Sequence, residues 1–68
     1  MQKRYEGSDR QVRGLILREL RGSETPVPAS VIAGLWTDDV QRERALAGLL
    51  ADGLAVGDPG HGYALPHE

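Results

Sequence analysis

No cysteine occurs among the 68 residues, which excludes a disulfide framework, thiol catalysis and thiolate ligation of an iron–sulfur cluster. No apolar run approaches the ~20 residues that a bilayer-spanning helix needs. The start, Met1-Gln-Lys-Arg-Tyr5, has no apolar stretch behind its basic residues. It is not a secretory signal, and the expected location is cytoplasmic. Repeats and low-complexity segments are absent. Lysine and arginine are also missing from every position after Arg44, so the last third of the chain has no cation fixed at neutral pH.

That last absence exposes an asymmetry behind the net charge of −2. Residues 1–22 carry Lys3, Arg4, Arg10, Arg13, Arg18 and Arg21 against Glu6, Asp9 and Glu19. The remainder carries Arg42 and Arg44 against Glu24, Asp38, Asp39, Glu43, Asp52, Asp58 and Glu68. A protein that gains affinity from phosphates is basic where it touches them, and here the basic part is the beginning. The length allows one small domain with a thin core, burying only ~60% of the unfolded chain's surface.

Residues 1–7 are polar and read as a linker or tail. Ser8 with Gln11 three positions on makes a capping box, and Val12, Leu15, Ile16 and Leu20 then repeat at helical spacing over about 9–21. Gly22 to Pro26 breaks this helix. Val27, between two prolines, has room for a very short extended segment at most. Pro28 or its neighbour opens a second helix, about 29–36, with Ile32, Leu35 and Trp36 on one face. Asp38 or Asp39 caps a third, about 39–52, in which Val40, Leu46, Leu49 and Leu50 have helical spacing. Gly53 fits the left-handed position just past that helix. Leu54-Ala55-Val56 and Tyr63-Ala64-Leu65 then place apolar residues at alternate positions, the strand period. The strands are expected at 54–57 and 62–65, with the glycine-rich loop from Gly57 to Gly62 between them. Three helices and a hairpin give an α+β fold, a winged helix-turn-helix over 8–66, followed by a tail at 67–68. The expected core adds Leu54, Val56, Tyr63 and Leu65 to the helical residues named, without Val40.

Two stretches carry candidate function. Gln41 and Arg44, opposite the Leu46/Leu49/Leu50 face, are residue types that address adenine and guanine; the plain alternative is a solvated helix face. Arg10, Arg13 and Arg21 line one side of the first helix with Leu17, an edge suited to phosphate contact or protein docking. Asp38 and Asp39 are explained by capping. His61 and His67 are too few and too separate for a metal site, and no catalytic constellation is present.

The words Ser8-Asp-Arg-Gln-Val-Arg-Gly14, Trp36, Gln41-Arg-Glu-Arg-Ala-Leu46, Ala51-Asp-Gly-Leu54 and Tyr63-Ala-Leu-Pro66 together resemble the C-terminal tail of actinobacterial A/G-specific adenine DNA glycosylases (MutY-like). The resemblance runs from about Tyr5 to Pro66. It implies a parent hydrolase of base-excision repair that removes adenine mispaired with 8-oxoguanine. Its catalytic carboxylates and iron–sulfur cluster would lie upstream, so this fragment brings no cofactor and no catalytic residue. Many relatives use a larger Nudix-like domain at this end, and this chain has no Nudix motif. Met1 fits a start placed ahead of an excised domain. The expected partners are double-stranded DNA, bound weakly and without sequence preference, and the parent's catalytic domain; no membrane is expected. The competing readings are a protein–protein interaction module and a free-standing winged-helix regulator, which would need dimerisation to span two half-sites.

Overall fold

The computed structural model describes residues 9–66. The expected tails, the Ser8 cap and His67 lie outside the described residues. Three helices, α1 (Asp9–Arg21), α2 (Ala29–Ala33) and α3 (Asp39–Ala51), precede an antiparallel hairpin of β1 (Val56–Asp58) and β2 (Gly62–Ala64). This is the element order of a winged helix-turn-helix. None of the described helices is long and apolar enough to cross a membrane.

Local chemistry sets the limits of α3. The Asp38 carboxylate accepts the Gln41 amide at 3.0 Å, which satisfies one of the first-turn donors that lack helical partners. At the other end Gly53 has φ +77°. Its N–H reaches the Leu50 carbonyl and that of Leu54 reaches Leu49, at 3.2 and 2.9 Å, which is the complete Schellman pattern. Gly53→Ala should therefore lower stability by about 1 kcal/mol, because a β-carbon is disfavoured in that conformation. Open space surrounds the site, so no steric term adds to it. A thermal midpoint unchanged by the substitution would refute this account.

The second helix is shorter than expected. It stops at Ala33, and the Gly34 and Leu35 amides bond three residues back, to Val31 and Ile32, a tightened last turn. Leu35 and Trp36 belong to the turn instead, where Arg42 Nη1 donates to the Trp36 carbonyl at 2.7 Å. The backbone there is held by α3 and does not continue the helix.

Val12, Ile16 and Leu20 of α1, Ile32 of α2, and Ala45, Leu46 and Leu49 of α3 form the core with Val27, Ala55 and Tyr63. Leu35, Trp36, Leu50, Leu65 and also Leu17 pack around it, half-buried. Two expectations need correction. Leu17 turns toward the core, whereas Leu15 sits half-buried on the opposite flank. Leu54 and Val56, expected inside, are 47% and 46% exposed, and Ala55 between them is 2% exposed. The first strand begins at Val56 and not at residue 54, so Leu54 lies in the turn after α3, and within that strand the expected phase was wrong by one residue. The register explains the phase. Gly57 pairs with Tyr63 and Val56 with Ala64, so the buried Tyr63 fixes Gly57 on the inner face and Val56 on the outer.

Val27 joins this sheet. Its N–H and C=O exchange hydrogen bonds with Tyr63 at 2.7 and 2.8 Å. The flanking prolines hold it extended, and one residue thereby anchors the α1–α2 loop to β2.

Candidate nucleic-acid interface

Helices α1 and α3 pack along a polar seam that engages three of the five candidate residues. Arg44 donates twice to Asp9, through Nε at 2.7 Å and Nη2 at 2.9 Å. Gln41 donates to Asp9 through Nε2 at 3.2 Å and accepts from the Trp36 indole at 2.7 Å. Further along, Arg13 runs past Gly48 to Asp52, 2.6 Å away. The side chains on α3 that were expected to face outward are thus turned to α1. The helical wheel explains it. The buried face of α3 is centred on Arg42, Ala45, Leu46 and Leu49, which leaves Gln41 on its flank, whereas Arg44 stays on the outer side and its long side chain, still 57% exposed, reaches Asp9 over the surface.

Arg10 and Arg21 remain exposed. So does Arg18, which falls beside them at ~100° per residue and was counted in the sequence only as charge. The exposed side of α1 therefore carries Arg10, Arg18 and Arg21 around Gly14, above which the space is open. The start of α3 is of opposite sign, with Asp38, Asp39 and Glu43 exposed.

Arg42 was also missed. It is 6% exposed, it bonds the Trp36 carbonyl, and its Nη2 lies 2.9 Å from Asp39. Its Nε has no partner. Arginine is rarely buried, so nothing in the sequence marked it. At the hairpin tip Asp58 accepts the Gly60 and His61 amides and lies 3.0 Å from the His61 ring. Among the described residues no group of three His, Cys, Asp or Glu side chains could hold a metal ion.

The Arg44 hydrogen bonds hold the Asp9 carboxyl below the usual aspartate range, helped by Gln41 and by the charge of Arg13. His61 does the same for Asp58 through its ring and its amide. A group whose pKa is depressed by folding stabilises above its unfolded pKa, and loses that effect as pH falls through the folded value. The domain should thus be more stable at pH 7 than at pH 3. Arg44→Met should flatten the part of that dependence owed to Asp9, as read by thermal midpoints across the range. Equal pH slopes for the two proteins would remove Asp9 from the account.

At 48% identity over 65 residues, 94% of this chain, the sequence matches adenine DNA glycosylase of Mycobacterium tuberculosis in strains CDC 1551 / Oshkosh and H37Rv, covering 21% of that protein. It is 46% identical over 67 residues, 97% of this chain, to adenine DNA glycosylase of Mycolicibacterium smegmatis, covering 23% of it. No family model matches, and no solved structure gives a significant match. The chain spans about a fifth of the length of the curated relatives it matches. It is therefore a homologue of one segment, about a fifth in length, of adenine DNA glycosylases.

Proposed function

We propose that the chain is an accessory C-terminal winged-helix domain of an adenine DNA glycosylase in base-excision repair, and that it steadies the enzyme on duplex DNA without reading sequence. The observation that carries this is the division of the arginines. Arg13 and Arg44 are paired with Asp52 and Asp9, whereas Arg10, Arg18 and Arg21 stand exposed on α1. Gln41 is held by Trp36 and Asp9, and the acidic start of α3 opposes insertion into a groove lined with phosphates. Contact with phosphates positions a protein and carries no sequence information. The domain supplies no thiolate to a cluster, having no cysteine, and catalysis belongs to the rest of such an enzyme.

A salt series of duplex binding by this chain tests the proposal. Non-specific affinity should be of order 10⁻⁴–10⁻⁶ M at physiological salt, with a log–log slope of about −0.9 for each phosphate contact. The triple substitution Arg10→Glu, Arg18→Glu, Arg21→Glu should abolish binding, and Arg44→Ala should leave base preference unchanged. If Arg44→Ala proves more damaging and alters base preference, α3 is a recognition helix after all. Absence of binding at low salt would favour a protein-interaction module.

A further inference from the structure

Nothing inside the molecule requires a glycine at position 14. Glycine in a helix interior weakens the helix relative to alanine, and Gly14 lies well within α1. Its backbone is ordinary, since the positive φ angles belong to Gly53, Gly57 and Gly62. A β-carbon there would meet nothing within 4 Å, so no neighbouring element needs the missing side chain. Gly48 on α3 differs, because the Arg13 guanidinium passes it at 3.8 Å. What flanks Gly14 is charge. Arg10 lies one helical turn before it and Arg18 one turn after, with Arg21 a further turn along the same side. All three are exposed, and none joins an ion pair among the described residues. The stripe thus runs cation, bare backbone, cation, with Arg10 and Arg18 about 12 Å apart along the axis.

We infer that Gly14 is the seat of a sugar–phosphate strand: a deoxyribose of duplex DNA packs on the bare helix there, while Arg10 and Arg18 hold the phosphates on either side. The inference rests on the proposed contact of α1 with DNA and adds to it a contact that is not a charge. A nucleic-acid strand carries the matching order, each sugar lying between two phosphates. In a helix interior the N–H and C=O groups are bonded along the helix. The surface at Gly14 therefore offers no hydrogen bond, and what fits it is a convex, weakly polar group. Sugar and phosphate contacts position a protein without reading bases. An acidic protein surface would answer the arginines alone and gives no use to the bare position between them.

Duplex binding by Gly14→Gln, followed by fluorescence anisotropy across a salt series, tests this. Glutamine is uncharged and a better helix former than glycine, so the variant should melt a few degrees higher. It should nevertheless bind about tenfold more weakly at every salt concentration, the loss of roughly one sugar's apolar contact. The slope of log affinity against log salt should stay the same, because no phosphate contact is removed. Ala47→Gln, on the exposed side of α3, should leave binding unchanged. If Gly14→Gln binds as well as the unsubstituted chain while the triple arginine substitution abolishes binding, the seat is overturned and the arginine contacts stand. An equal loss from Ala47→Gln would overturn it as well, and so would a lower melting point for Gly14→Gln, which would show that the glycine serves the fold. Absence of binding by the unsubstituted chain at low salt would remove the DNA reading itself, and this inference with it, in favour of an acidic protein partner.

Discussion

Gly57→Ala should unfold the hairpin and most of the domain with it. Gly57 has φ +131°, a conformation that residues with a β-carbon rarely adopt. A β-carbon there would lie 2.1 Å from the Gly62 carbonyl oxygen and 2.8 Å from the Tyr63 α-carbon. Both obstacles are backbone of the paired strand, so relief requires β1 and β2 to separate. Tyr63 in the core and its bonds to Val27 fix β2 from its other side, so β1 must give way, and with it the buried Ala55 just before the strand. The expected loss is about 3 kcal/mol or more, against the roughly 3–10 kcal/mol that holds a domain of this size. Urea titration followed by circular dichroism should show a large fall in midpoint. Gly60→Ala at the tip should be mild, because there the nearest atom is the Asp58 carboxylate at 3.4 Å. Comparable losses for the two substitutions would mean that the hairpin does not have this register.

The second large effect belongs to Arg42. Its stem fills the space between α3 and the α2–α3 turn, and its guanidinium holds the Trp36 carbonyl. Arg42→Ala leaves a void and a carbonyl without its donor, and should cost about 2–4 kcal/mol. Arg42→Met retains most of the stem and removes both the buried charge and the unpartnered Nε. Burying a charge is itself costly, so this variant should lose less than half as much. Midpoints measured with an unchanged urea slope would compare the two directly. If methionine is as damaging as alanine, the guanidinium contact and not the packing holds the turn.

These two positions also mark the limit of what was legible in the sequence. The extents of α1 and α3 follow from periodicity, and the start of α3 and the turn at Gly53 from the Asp38 cap and the glycine, signals that act within a few residues. The single extended residue at Val27 follows from its prolines. The burial of Ala45 and Ala55 left no trace, because alanine is common on either side of a helix or strand. Leu54 and Val56 were placed inside because the period of a strand is visible in a sequence and its phase is not. That phase depends on pairing with Tyr63, seven residues from Val56. Among the candidate site residues, Arg10 and Arg21 are exposed as expected on α1. Arg13, Gln41 and Arg44 are drawn into helix–helix contacts from 32 to 39 residues away in sequence, a separation no local pattern reveals.

The order of charge along the α1–α3 seam has a consequence for how the chain avoids other folds. Asp9 and then Arg13 on α1 meet Arg44 and then Asp52 on α3, so the sign reverses between successive rungs. Sliding α1 by one helical turn would bring Arg13 against Arg44; sliding it the other way would carry Asp9 toward Asp52. Apolar stripes such as Val12-Ile16-Leu20 and Ala45-Leu49 tolerate such slippage, since one aliphatic contact resembles the next. The exposed ion pairs add little to the depth of the native minimum. Their effect falls on its competitors, each of which would set like charges together. A domain with so thin a core thereby keeps one helix register where hydrophobic contact alone would permit several.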